Sequence, residues 1–510
     1  MKQTITLLCF CLMAVSSFAQ APPLAWQKCL GGSENEQLNT IQATADGGYI
    51  AVGYTNSIDG DLTGNHGLND AWVVKFSSTG TLEWQKTYGG TDNDYGTSIK
   101  ITADGGYIIA GFTESNDGDV AGSHGGGDGW VVKLSNIGDI QWQKCLGGTC
   151  QESFNEIQLT ADGGYIMTGS TCSNDGNVTG FHGIQDAWVV KLSAVGTLDW
   201  EHCYGGTNGD TAYSIQQTPD GGYIMGGVGS STNEDVTGNH GNWDAWVVKL
   251  TSQGSVVWHQ CLGGSDSDWV AQIQNTSDGG FILLGYTSST DGDVVGNHGN
   301  SDAWVTKLSP TGALEWQKCL GGSGNEYAYC LQTTTDGGTV LLLDTTSTDG
   351  DITGNHGNLD VWLVKLSSTG VLEWQKCLGG TSVDRAFSIQ ATANNEYILS
   401  GFTYSDDGDV TGNHGNSDAW VVKLGTPLAT ATFQPEILTV YPNPTTTDLM
   451  VQTPLNTNIT KIIITDIAGK MVLEQIENTN QVHVAHLANG LYTLKAFSGE
   501  KDFVAKFVKK

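Results

Sequence analysis

DGDLTGNHGLNDAW, residues 59–72, packs two early aspartates, three glycines, a histidine and a late aspartate into one connection that runs into a tryptophan. The phrase returns as DGDVAGSHGGGDGW at 117–130, DGNVTGFHGIQDAW at 175–188 and NEDVTGNHGNWDAW at 233–246, then again from 291, 349 and 407, always 58 residues on. A fixed period of this order marks a repeat architecture, in which each unit buries its apolar faces against its neighbours. Two tryptophan series keep the same step: Trp26, Trp84, Trp142, Trp200, Trp258, Trp316 and Trp374 in WQK-like phrases, and Trp72, Trp130, Trp188, Trp246, Trp304, Trp362 and Trp420 in DAWVVKL-like phrases.

One unit reads as four strands, a to d, at 38–44, 49–55, 71–76 and 82–87. β-branched and aromatic residues fill them, while Asp46-Gly47-Gly48 and Ser77-Ser78-Thr79-Gly80 supply tight-turn chemistry between them. The array begins with a lone strand d (24–29) and ends with a lone strand c (419–424), each lacking the partner the other would supply. Pairing the two removes both free edges. The pattern therefore predicts an all-β chain with a seven-bladed β-propeller over 24–424, closed by its N-terminal strand. A β-solenoid is the alternative. Strand connections alternate between the two ends of a blade, so the b–c and d–a loops share one acidic face.

The formal net charge is −32 and Arg385 is the sole arginine. Such a surface repels phosphate backbones and anionic membranes, which argues against nucleic-acid binding. Residues 1–19 read as a secretory signal, with Lys2 leading an apolar run over 4–16 and small residues Ser17 and Ala19 at the cleavage rule. No later stretch is long and apolar enough for a helical membrane span. The mature protein is expected to be exported, with no membrane span, and monomeric.

Numbered from Asp59, the quoted loop resembles the spacing of an EF-hand calcium loop, with oxygen ligands at positions 1, 3 and 5, a turning glycine at 6 and an acid at 12. Position 1 is Asp59, Asp117, Asp175, Asn233, Asp291, Asp349 and Asp407. Position 3 is Asp61, Asp119, Asn177, Asp235, Asp293, Asp351 and Asp409, and position 12 is Asp70, Asp128, Asp186, Asp244, Asp302, Asp360 and Asp418. Structural calcium is the cofactor this spacing would suit. The pattern departs from the family in its Asp at 12, its His at 8 and its flanking strands. The same residues also fit Asx-turns, in which Asp and Asn side chains cap backbone N–H groups and glycines take positive φ. The histidines, one per unit, read as loop-ordering hydrogen bonders, since seven blades would keep them apart.

Cys29, Cys145, Cys203, Cys261, Cys319 and Cys377 share one repeat position and read as buried free thiols, because equivalent atoms of separate blades lie beyond bridging reach. Cys150 and Cys172 flank one hairpin, which places Cys172 opposite Ser153 and makes a disulfide the expectation. Trp243 and Trp269 each occur in one unit only, beside a loop, and are candidates for ligand contact.

After Gly425 the repeat stops, and 425–436 reads as a linker. Tyr441-Pro442-Asn443-Pro444, Asp466-Ile467-Ala468-Gly469-Lys470, Leu487-Ala488-Asn489-Gly490-Leu491-Tyr492 and the terminal Lys506 and Lys509-Lys510 resemble the type A sorting domain of the type IX secretion system. The resemblance covers 437–510. It implies a small β-sandwich that addresses the chain to the type IX machinery of Bacteroidota, and release or attachment at the cell surface. The repeats also resemble DGGY/DGD…DAWVVKL arrays that accompany such domains in secreted proteins, a likeness that carries no known activity.

No G-x-S-x-G elbow, P-loop, HExxH or Cys-His pairing occurs in a suitable context. The few residues that break the repeat symmetry are Arg385, His202, His259, Trp243, Trp269 and Asp344. The first expectation is therefore a noncatalytic adhesion or binding module that takes a glycan or protein on its loop-bearing face. A carbohydrate-active hydrolase or lyase is the alternative, and a surface structural component a further one.

Overall fold

The computed structural model describes residues 20–392, 396–426, 438–452, 459–467, 469–476, 480–498 and 501–510. The predicted signal segment and most of the predicted linker lie outside these residues. The chain divides into two compact units, 1–428 and 429–510.

The first unit holds seven four-stranded antiparallel sheets, or blades. Blade 1 contains Glu36–Ala43, Tyr49–Thr55, Asp70–Phe76 and Leu82–Tyr88 as strands a to d. Blades 2 to 6 repeat it at the same step through Leu378. Blade 7 takes strands Asp384–Ala391, Tyr397–Thr403 and Asp418–Leu424 from the end of the array. Its fourth strand is Leu24–Leu30, antiparallel to the last, with Cys29 opposite Trp420. Gln27 joins the two strands a second time, its Oε1 accepting from Trp420 Nε1 at 3.0 Å.

Strands b and c are buried along almost their whole length, which is why they read as continuous apolar runs. Strand d is half-exposed and forms the outer edge of the blade. Each core cluster straddles two blades. Ile50, Val52 and Val73 of blade 1 pack with Ile99, Ile109 and Trp130 of blade 2. The same packing joins the two ends of the array, where Leu38, Trp72 and Val74 share a cluster with Ile398, Ala419 and Val421. The strand-c tryptophans are interblade core, and six of the seven in strand d meet an aromatic ring of the next blade, as Trp26 meets Tyr49 edge-on at 6.1 Å.

A bulge in strand a brings its backbone so close to strand b that a Cβ at Gly53 would run into the Gln37 carbonyl. In blade 3 the same bulge, between Phe154 and Glu156, shifts the hairpin register. Ser153 thus faces Ser170, and Cys172 comes opposite Gln151 rather than opposite Ser153 as the sequence suggests, the bulge accounting for one residue of that shift. Cys150 and Cys172 are disulfide-bonded, with Cα atoms 5.5 Å apart.

The hairpin end of each blade is held by a buried lysine. Lys75 Nζ pairs with Asp46 at 3.0 Å and with Glu83 at 3.1 Å. Asp46 also accepts from Gly48 N, and this is the job of the repeated Asp-Gly-Gly phrase.

The second unit has a three-stranded and a four-stranded sheet, around strands Asp448–Gln452 and Gly490–Ser498. Leu449, Val482, Ile462, Leu494 and Phe507 are buried in its single core.

Candidate functional site

The b–c loops are built as caps for the d–a loops beside them. Asp59 Oδ1 accepts from Ser33 N at 2.8 Å, and Asp61 N donates to the Gly31 carbonyl at 3.0 Å. The position-1 residues Asp117, Asp175, Asn233, Asp291, Asp349 and Asp407 accept the corresponding amide in the other blades. Gly60 and Gly64 take φ of +68° and +95°, which lets the loop fold back on the d–a loop.

Position 12 is turned to a different task. Asp70 opens strand c, fully buried, and its Oδ2 accepts from His66 N at 2.8 Å and pairs with His66 Nδ1 at 2.7 Å. The capping carboxylates and the Oδ2 of the strand-opening one thus have separate partners, while Asp70 Oδ1 is buried without a hydrogen-bond partner. Among the described residues no group of three or more His, Cys, Asp or Glu side chains is gathered so as to hold a metal ion. An EF-hand brings positions 1, 3 and 12 to one point, and calcium binding at these loops is what a melt in chelator tests.

A second acid column escaped the reading of the repeat as surface loops. Glu36, Asp94, Glu152, Asp210, Asp268, Glu326 and Asp384 open strand a and are all fully buried. Glu36 accepts from Gly32 N and Thr55 Oγ1, each at 2.8 Å. Each lies beside the position-12 aspartate of the preceding blade. A Cβ on Gly31 would stand 2.5 Å from Glu36 Oε2 and 2.6 Å from Asp418 Oδ1, so only glycine fits between them. Burial pushes both carboxyls above the ordinary range, and hydrogen bonds offset part of the rise. The signal that would have found this column is its constancy: an acid at every repeat, Glu in three and Asp in four.

Aromatic side chains of neighbouring blades also meet beside these loops. Trp243 and Trp269, singled out in the sequence, do meet: they stack at 6.0 Å and 24°. Trp269 also stacks on Tyr286 at 5.6 Å and 13°, so it stands between two rings. Two other symmetry breakers, Asp344 and Arg385, come together as well, with Nε 3.5 Å from Oδ2. Asp344 is fully buried, and desolvation raises its carboxyl well above the ordinary range despite the Arg385 charge. His202 and His259 lie on the outer strand d and join neither group.

Where blade 7 meets blades 1 and 2, a depression of about 340 Å³ opens between Tyr54, Tyr95, Phe402 and Tyr404, with Asn35, Gln37, Asn56, Asn69 and Ser417 completing its lining. Tyr54 and Tyr95 meet edge-on at 5.0 Å and 81°. Phe402 and Tyr404 meet edge-on at 5.6 Å, and Tyr404 is 46% exposed. The amides are held in place: Asn69 Nδ2 donates to Tyr95 Oη at 2.9 Å, and Ser417 Oγ to Asn35 Oδ1 at 3.2 Å. The sequence reading missed this pocket. Its residues lie in the columns that vary from repeat to repeat, such as Tyr54, Phe112, Ser170, Val228, Tyr286, Asp344 and Phe402, and that variation was the available signal.

Residues 439–510 match the secretion system C-terminal sorting domain family. The regulatory protein FlaEY of Caulobacter vibrioides is 23% identical over 303 residues, which cover 54% of this chain and 30% of that protein. Among solved structures, puromycin hydrolase aligns with a TM-score of 0.45 and 11% identity over 94% of this chain and 62% of its own. Sqt1 from Chaetomium thermophilum aligns with a TM-score of 0.42 and 9% identity, over 80% of this chain and 100% of its own. The sorting domain implies contact with the type IX machinery and export to the cell surface or beyond. Among the described residues no helix is long and apolar enough to cross a membrane. The chain is a tandem-repeat β-propeller protein with a type IX secretion sorting domain at its C-terminus.

Proposed function

We propose that the exported propeller is a carbohydrate-binding module that takes a neutral glycan in the depression between blades 7, 1 and 2. The observation that carries this reading is the lining itself, in which aromatic faces stand among side-chain amides fixed by hydrogen bonds. Aromatic rings offer a flat apolar surface to the C–H face of a sugar, and pre-oriented amides serve its hydroxyls at little entropic cost. The pocket lining contains no carboxylate, whereas glycoside hydrolysis calls for a pair of them across the scissile bond. That favours binding over the hydrolase alternative. The charge of −32 disfavours sulfated or uronic glycans.

An array of neutral and anionic glycans, probed with the full chain and with the Tyr54→Ala, Tyr404→Ala double variant, tests the proposal. Signal on neutral glycans that the double variant loses supports it. Signal confined to anionic glycans, or none at all, overturns it.

A further inference from the structure

The axial channel, about 300 Å³, is lined by the innermost strand of every blade. One repeat position on these strands carries six glutamines and, in blade 2, Lys100. Four of the glutamines, Gln42, Gln216, Gln274 and Gln390, staple neighbouring blades. Gln42 Oε1 accepts from Ile101 N at 3.2 Å, Gln216 Oε1 from Asn275 N at 3.1 Å and Gln274 Oε1 from Thr333 N at 3.1 Å, each 59 residues on. Lys100 has no acceptor atom, so it cannot make this bond to blade 3. It gains nothing in exchange: among the described residues its ammonium has neither a hydrogen-bond acceptor nor an ion-pair partner. The one carboxylate in the lining, Glu156, is already engaged, its Oε2 accepting from Ile215 N at 2.9 Å and its Oε1 from Gln158 Nε2 at 2.5 Å. The amide groups of Gln42, Gln216 and Gln390 spend their oxygens on backbone N–H groups and leave their Nε2 donors without a protein acceptor among the described residues. The channel therefore holds one cation and one carboxylate beside several amide donors that have no acceptor.

We propose that the axial channel binds a small oxyanion, the carboxylate or phosphate group of a small solute, with Lys100 as its charged ligand and the free glutamine amides as neutral donors. An oxyanion supplies a charge partner for the Lys100 ammonium and acceptors for the free amide donors. The channel volume suits a small molecule rather than a polymer. The site is separate from the glycan pocket, since the two linings share no residue.

Calorimetric titration of the full chain with inorganic phosphate and, separately, with acetate tests the proposal, with ionic strength held constant by chloride. At least one of the two anions binds with one site per chain. Binding of phosphate alone assigns a phosphate group, and binding of acetate alone a carboxylate. Lys100→Gln supplies an acceptor for the same interblade bond, so its melting temperature does not fall, while it weakens binding at least about tenfold. Lys100→Met, which lacks both charge and acceptor, shows the same loss of binding. Absence of binding for both anions, or undiminished binding by both variants, overturns the proposal.

Discussion

Arg385 Nε stands 3.5 Å from Asp344 Oδ2, and the Arg385 guanidinium lies 5.8 Å over the Tyr327 ring. The sole arginine of the chain thus compensates a buried carboxylate that no other repeat has at that position. At 3.5 Å the pair interacts through charge more than through a direct hydrogen bond. Removing the cation leaves Asp344 buried and unpaired. Arg385→Ala is expected to cost about 1–3 kcal/mol at pH 7, read by denaturant unfolding, and less at pH 5 where the carboxyl protonates more readily. The paired change Asp344→Leu with Arg385→Tyr is expected to be neutral or stabilising, because it removes both charges together. A double variant less stable than Arg385→Ala alone would refute this reading.

The buried acid columns set the pH dependence of stability. Burial raises Glu36, Asp70, Asp94, Asp268 and Asp302 above their ordinary range in the folded state. A carboxyl whose folded pKa is raised favours the folded state at low pH, and loses that contribution as pH climbs through the unfolded value, about 4, toward the folded one. Melting temperature should therefore rise as pH falls from 8 toward about 5. Asp46, Asp104 and Asp220 act in the opposite sense. Threonine hydroxyls, then backbone amides and lysines, hold them down at about 2. Their contribution is present above the unfolded pKa and fades as pH falls from about 4 toward 2, which bounds the acid side. Thermal scans from pH 3 to 8 check both limbs, and a monotonic fall in stability below pH 8 would contradict the first.

Metal removal should do little. The position-1 side chains cap backbone amides and the position-12 aspartates pair with histidine, while the second oxygen of Asp70, Asp186, Asp244, Asp302, Asp360 and Asp418 is buried without a hydrogen-bond partner. Melting in EDTA and in added calcium is expected to agree within about 1 °C, whereas seven lost sites would lower it by many degrees. A large chelator effect would restore the calcium loop.

The repeat-position thiols should be inert. Burial, the largest cause, pushes Cys29, Cys145, Cys261, Cys319 and Cys377 up to about 12, so almost no thiolate forms at pH 8. Iodoacetamide at pH 8 should leave the seven free cysteines of the described residues unlabelled until the protein unfolds, with Cys150 and Cys172 labelled only after reduction. Mass spectrometry of native and denatured samples reads this directly.

The architecture was legible because every unit repeats Trp72 and Trp26 at one step, and because the lone strands at the two ends are complementary. What misled was the acid column. An Asp or Glu in a glycine-rich stretch reads as surface, yet Glu36 and Asp70 are the first residues of strands, pulled inward by the loop amides they satisfy. Local spacing cannot tell a ligand from a cap when both demand an oxygen at a turn. The aromatic pocket was hidden for another reason. Tyr54, Tyr95 and Tyr404 come from different units, each at a column where its neighbours differ, and only the ring brings them together.

Calorimetric titration of the best-bound neutral oligosaccharide, comparing the full chain with Tyr404→Ala and with Trp243→Ala, tests the central claim most directly. The pocket between blades 7, 1 and 2 predicts affinity at least about tenfold weaker in Tyr404→Ala and unchanged in Trp243→Ala. Unchanged affinity in Tyr404→Ala, with loss in Trp243→Ala, would contradict it and move the site to the Trp243–Trp269 stack.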